Sequence, residues 1–386
     1  MLYRPRIDSR TQKGVGMTTY TLISSDSHII EPADLWAQRI DRRFKDRGPR
    51  LVHEGEVDQW YADGVKFGNI GINQQAGLRF EAPEKLTTGG SMATIPLGGV
   101  DPHAHVQDMD VDSVAGGVLY PSQGLTLYRV PDSQLLSAIF RAYNDWLADF
   151  CTPYPQRLKG IAMLNVDDVA DAVGELQRAA NLGLAGAMIP LRPMEKRYDH
   201  PDYEPLWAVA QDLAMPLSLH VGTYRWWPEM DLASPNQDIV EFSNREGDVR
   251  RAIAALIFGG VFERYPRLQV GAVEFEIAWA PYFMNRMDNV YTERAQGVQH
   301  HRFQHGALPS DFFRQNIFIS FQEDALGIQL RSYVGVDNLL WGSDYPHAES
   351  TFPRSRAIVD RILDGVPDEE KRKIAGTNVA RLYHFE

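Results

Sequence analysis

Residues 21–28 read Thr-Leu-Ile-Ser-Ser-Asp-Ser-His, an apolar run that ends on two chemically active side chains, Asp26 and His28. Comparable apolar runs follow at 114–121, 158–166, 185–191, 216–221, 268–275, 317–321 and 339–344. Segments with helical spacing separate them, and that alternation marks parallel βα units. Eight such runs fit a closed (β/α)8 barrel, a TIM-like α/β fold, better than an open sheet. The intervening segments agree. Residues 133–150 carry Leu135, Leu136, Ile139, Phe140, Tyr143 and Leu147 at three-four spacing, the stripe of an amphipathic helix. Residues 167–182 open on acidic groups that suit a helix N-terminus. Residues 249–262, 277–290 and 377–383 read as further helices.

The 386 residues are 44% hydrophobic and 23% charged, an ordinary folded mixture. A barrel can take that length as one unit. The expected organisation is an N-terminal arm over 1–19 and a single barrel over 20–386. Met17 is an alternative start to Met1. The net charge of −12 argues against nucleic acid or an anionic membrane as partner. With one cysteine, Cys151, no intramolecular disulfide can form, so a reducing, cytoplasmic setting is expected. Cys151 lies in an apolar stretch and reads as a core thiol. No run has the length of a membrane span, and the basic N-terminus lacks a secretory apolar region.

One segment breaks the repeat. Residues 37–100 are far longer than a usual βα connection and hold Trp60, Tyr61, Phe67 and Phe80 among glycines. They follow the end of the first strand, where barrel active sites are built. The insert is expected to act as a lid or as an oligomer arm.

Four strand ends finish in ionisable residues: Asp26 and His28, His220, Glu274, and Asp344. All C-terminal strand ends of a barrel face one mouth, and charges buried there must be paired or coordinated. Asp26 and His28 are two apart on an extended chain, so their side chains share a face. Together with His220 and Asp344 they make two carboxylates and two imidazoles, a set suited to one divalent ion. Zn²⁺ fits it best, with Mn²⁺ or Fe²⁺ as alternatives. The pair His103 and His105 is set aside, because 101–112 reads as a helix and neighbours two apart on a helix do not share a face.

Asp26-Ser27-His28-Ile29-Ile30-Glu31-Pro32, Leu219-His220-Val221-Gly222, Gly342-Ser343-Asp344-Tyr345-Pro346-His347 and Asn378-Val379-Ala380-Arg381-Leu382-Tyr383 together resemble the amidohydrolase-related family. The likeness is to its aminocarboxymuconate-semialdehyde decarboxylase-like branch and spans about residues 20–385. The resemblance implies a (β/α)8 barrel, one catalytic divalent ion, and a dimer or larger homo-oligomer. It also implies ligand roles for His28, His220 and Asp344. Asp26 would replace the family's usual first ligand, a histidine or glutamate. No lysine stands in 185–191, which fits a single ion. The decarboxylases of the family usually carry Gly-His-x-Gly-Glu at the sixth strand. Here the stretch is Gly271-Ala272-Val273-Glu274, so the glutamate is kept and the histidine is lost.

That loss favours hydrolysis as the first reading: metal-activated water attacks a C–N bond or an activated C–C bond, with Asp344 moving the proton. The alternative is non-oxidative decarboxylation of an aromatic or enol-type acid. A third reading is a barrel that binds without catalysis. His220 and Glu274 join Asp344 as candidate catalytic groups. Arg79, Arg192 and Arg225 are candidate carboxylate clamps. Trp226, Trp227, Tyr345 and His347 are candidate pocket walls for a small-molecule substrate.

Overall fold

All eight expected strands form, and they pair in parallel in chain order. The computed structural model describes residues 20–71, 75–225, 240, 243–294, 297–298 and 300–386; the expected N-terminal arm over 1–19 lies outside them. The barrel opens with β1 (Leu22–Ile29). An insert then contributes β2 (Arg50–Glu54), β3 (Val57–Ala62) and β4 (Val65–Asn69). The barrel resumes with β5 (Val114–Pro121), β6 (Leu158–Met163), β7 (Gly186–Ile189) and β8 (Leu217–His220). It finishes with β9 (Val270–Val273), β10 (Ile317–Phe321) and β11 (Leu339–Trp341). The expected helices form between them, including Ser133–Cys151, Val169–Asn181 and Glu246–Phe258.

Several strands stop earlier than their apolar runs, and the functional residues explain why. β9 and β11 end just before chain turns at Glu274 (φ 67°) and Asp344 (φ 58°). Both are non-glycine residues in the left-handed region, a costly state found where surrounding structure imposes it. These carboxylates therefore leave the ladder as they reach the mouth.

The first and last strands close the ring through side chains and loops rather than a full ladder. Ser343 N donates to Ser24 Oγ at 2.9 Å, and Ser25 Oγ donates to Trp341 O at 3.0 Å. Asp344 N donates to Asp26 O at 2.8 Å, and His28 N donates to Tyr345 O at 2.6 Å. Gly342 is required at this seam, because a Cβ there would lie 2.6 Å from Asp26 Cβ. β1 also bulges: Ser24 pairs with Gly117 but Ser27 with Leu119. Three steps on one strand answer two on the other, which re-aims Asp26 into the site.

The insert has a fold of its own. β2, β3 and β4 form an antiparallel meander. Trp60 is buried edge-on against Trp36 at 5.2 Å between ring centroids. Phe67 is buried beside Arg129, whose guanidinium donates to Phe67 O at 3.1 Å. The following stretch runs along the mouth. Ala76 N donates to Pro346 O at 3.1 Å, and Ile30 N donates to Gly99 O at 2.7 Å. Cys151 is buried, and burial pushes its thiol up to about 12. No helix among the described residues is long and apolar enough to cross a membrane.

Candidate metal centre and active site

The barrel brings Asp26, His28, His220 and Asp344 together at its mouth. His28 Nε2 lies 3.3 Å from Asp26 Oδ1 and 3.3 Å from Asp344 Oδ1. His220 Nε2 lies 3.5 Å from Asp26 Oδ1 and 3.7 Å from Glu274 Oε2. The far nitrogens are already held. His28 Nδ1 bonds Pro121 O at 2.8 Å, and His220 Nδ1 bonds Val221 O at 2.9 Å. Those backbone acceptors fix the tautomer and turn each Nε2 lone pair inward, as ligand histidines require.

Both oxygens of Asp26 and both inward Nε2 atoms are buried without a hydrogen-bond partner. Buried polar atoms are rarely left so. Their spacing has a simple explanation: donors about 2.1 Å from one ion sit about 3–3.5 Å from each other. The residues present therefore fit a divalent cation: Asp26, His28, His220 and Glu274 offer ligand atoms that all lie within 4.8 Å of one another, and Asp344 joins His28 and His347 in a second such group. The electrostatics agree. Burial raises the Asp26 carboxyl, but the His220 and His28 imidazoles outweigh it and hold it well below the usual carboxylate range. Burial, reinforced by Asp344, raises Glu274. Burial likewise raises Asp344, with Asp26 adding to it. A cation would relieve this concentration of carboxylates.

His347 stands closer to the chemistry than the sequence reading placed it. Its Nδ1 is 2.9 Å from Asp344 Oδ1, its Nε2 is 3.1 Å from Ser122 Oγ, and its ring stacks on His28 at 3.9 Å. Tyr345 is buried, and its hydroxyl donates to Asp108. Its ring packs edge-on against His105 at 5.2 Å, so it supports the loop that carries Asp344.

The other substrate candidates separate. Arg225 is fully buried. Its Nε donates to Asp167 Oδ1 at 2.9 Å and its Nη1 to Val130 O at 2.8 Å and to Tyr128 O. Those bonds occupy the guanidinium as a brace between loops, which corrects its assignment as a clamp. Arg79 is also engaged, through Ser350 O at 2.8 Å and Glu323. Arg192 lies 3.4 Å from Asp248 and is about half exposed. Trp226 and Trp227 lie outside the described residues.

The His103 and His105 pair divides as expected. His103 is exposed and bonds Tyr154, while His105 is buried and bonds Gly98 O at 2.8 Å. The sequence reading missed two residues at the mouth. Arg245 lies 3.4 Å from Glu274, and Gln322 follows β10. Gln322 was findable by position, directly after a strand end, but it is not ionisable; Arg245 stands far beyond the end of β8, at the start of a helix.

Residues 100–385 match the amidohydrolase family. A gamma-resorcylate decarboxylase of Rhizobium sp. (strain MTP-10005) is 28% identical over 284 residues, covering 67% of this chain and 79% of that protein. Among solved structures, an amidohydrolase from Mycobacterium avium subsp. paratuberculosis K-10 matches with a TM-score of 0.76 at 21% identity, covering 94% of this chain and 98% of that one. A dihydroxybenzoic acid decarboxylase from Polaromonas sp. JS666, with bound manganese and the inhibitor 2-nitroresorcinol, matches with a TM-score of 0.62 at 18% identity, covering 95% and 97%. The chain belongs to the amidohydrolase family, in its aminocarboxymuconate-semialdehyde decarboxylase-like branch, and is a metal-dependent enzyme.

Proposed function

We propose that this enzyme catalyses the non-oxidative decarboxylation of an aromatic carboxylic acid carrying an oxygen substituent beside the carboxylate. The observation that carries the reading is the set of buried, partnerless donor atoms on Asp26, His28 and His220, with Asp344 in direct reach. The decarboxylase relatives favour this over the hydrolysis that the altered sixth strand suggested. The lost strand-six histidine leaves Ala272 inside β9, yet an imidazole still stands in the site, that of His347.

A divalent ion at this centre supplies a Lewis acid for the carboxylate and its neighbouring oxygen. Asp26, His28, His220 and Asp344 would hold it. Asp344, on the seam loop, then donates its proton to the ring carbon that carries the carboxylate. The C–C bond breaks, its electron pair stays with the ring as that C–H bond is completed, and CO2 leaves. A proton from solvent restores Asp344. The insert segment at 75–100 and the loop after β11 would wall off the pocket, which favours loss of a charged group as neutral gas.

The test is a panel of hydroxybenzoates, amides and esters offered to enzyme reconstituted with Mn²⁺ or Zn²⁺. CO2 release from a hydroxybenzoate is the expected result. Amide or ester cleavage with no CO2 from any acid would overturn the reading, and metal analysis of the purified protein identifies the ion.

A further inference from the structure

The loop after β11 turns back on itself within four residues. His347 N donates to Asp344 O at 2.9 Å, a tight turn that brings the His347 side chain over the Asp344 carboxylate. His347 Nδ1 lies 2.9 Å from Asp344 Oδ1. A carboxylate oxygen only accepts, so the hydrogen between them belongs to Nδ1. The other ring nitrogen, Nε2, meets Ser122 Oγ at 3.1 Å. Ser122, His347 and Asp344 are all buried. The ring is fixed in its plane as well. It stacks on His28 at 3.9 Å between centroids, 25° from parallel, and His28 Nδ1 is held by Pro121 O at 2.8 Å. Adjacent residues at the end of β5, Pro121 and Ser122, therefore hold two stacked imidazoles. One turns its free nitrogen to the metal centre, the other to the acid. Asp344 Oδ1 also lies 3.3 Å from His28 Nε2, so this oxygen faces both rings. The Gln322 side chain bonds the same carboxyl from the end of β10.

We propose that His347 is the positioning residue of the acid: held by Ser122, it donates Nδ1–H to Asp344 Oδ1 and so leaves Oδ2 to carry the proton that reaches the substrate. The inference rests on the decarboxylase reading, in which Asp344 protonates the carbon that the carboxylate leaves. A protonated carboxyl can bear its hydrogen on either oxygen. Committing one oxygen to the imidazole sets which of the two delivers it, a gain of the kind that prior orientation supplies. The imidazole takes no proton in this role.

The experiment compares variants of the metal-loaded enzyme on a hydroxybenzoate that the wild type decarboxylates. His347→Phe keeps a ring against His28 and removes the N–H. It is expected to lower kcat roughly 10- to 100-fold, with KM within about twofold of the wild type and metal stoichiometry unchanged. His347→Asn loses the stacked ring but keeps an N–H near the place of Nδ1. It is expected to recover kcat to within about fivefold of the wild type. Ser122→Ala loosens the ring and leaves its N–H on Asp344, so it should cost only about threefold. Nitrogen NMR of the zinc-loaded wild type should find the His347 hydrogen on Nδ1.

An Asn variant that falls as far as His347→Phe would show that the N–H is not what counts, and would overturn the proposal. A bare Nδ1 in the NMR spectrum would do the same. Loss of metal from either His347 variant would recast the residue as a ligand, and a raised KM with unchanged kcat would make it a substrate contact; both defeat it. A wild type that releases CO2 from no acid brings down the parent reading and the proposal together. A wild type that turns acids over while His347→Phe keeps full kcat removes the His347 role alone.

Discussion

Two clusters of buried charge stand at the same end of this barrel, and they are finished differently. Around Arg225, Asp167 supplies both carboxylate oxygens and the carbonyls of Tyr128 and Val130 take the remaining donors. Around Asp26, the inward oxygens and nitrogens find no partner. Burial and charge are common to both. Only the second is incomplete as protein alone, so unfilled valence, rather than charge at a strand end, distinguishes a binding centre from a brace.

That contrast can be broken most sharply at the metal ligands. His220→Ala should release the ion and abolish turnover, read by metal analysis and CO2 assay. Stoichiometric metal in that variant would show that the orphan atoms serve another purpose. Asp344→Asn should lower kcat about 10²–10⁴-fold, the usual range for lost general acid–base help. Retained kcat would remove Asp344 from proton transfer.

The brace should respond in the opposite currency. Arg225→Met leaves Asp167 and two carbonyls unpaired, and should cost about 3 kcal/mol in urea unfolding. The folded fraction should keep its metal, and a loss of metal without a loss of stability would merge the two clusters.

The smallest effect concerns His105, buried beneath Tyr345. Burial pushes its imidazole down to about 4, whereas an unfolded imidazole titrates near 6.5. Between those values the unfolded chain binds the extra proton, so stability rises with pH across the window and is lost as pH falls through it. Denaturant midpoints from pH 6.5 to 4.5 should fall in the wild type and fall less in His105→Gln. Equal slopes would show that His105 is not a buried neutral group.

The barrel and the residues gathered at its mouth were legible in sequence for one reason. A parallel strand buried on both faces is an apolar run, and its end is a fixed place at the mouth. Asp26, His220 and Asp344 are conspicuous at such ends. The insert sheet was less legible. In β3 the inward face holds Asp58, Trp60 and Ala62, and the polar first member blurs the alternation. Asp58 is nonetheless satisfied by His53 Nδ1 at 2.7 Å across the hairpin, and by Ser91 at 2.8 Å and Met92 N at 2.7 Å, the last two too far along the chain to foresee. A usable signal was present at Asp63-Gly64, where both residues have positive φ and join β3 to β4 as a tight hairpin. Arg225 misled for a related cause. Its position after a strand suited a clamp, but its partners come from two other loops.

The seam between β1 and β11 gives the centre a history as well as a shape. The ligands proposed for it span residue 26 to residue 344, and the backbone bonds that align them join Asp26 to Asp344 and His28 to Tyr345. During synthesis Asp26 and His28 emerge early and wait for their partner until almost all of the barrel has been made. Tight capture of the ion therefore reports that the ring has closed, and the nascent chain gains its full affinity for metal only as its last strand arrives.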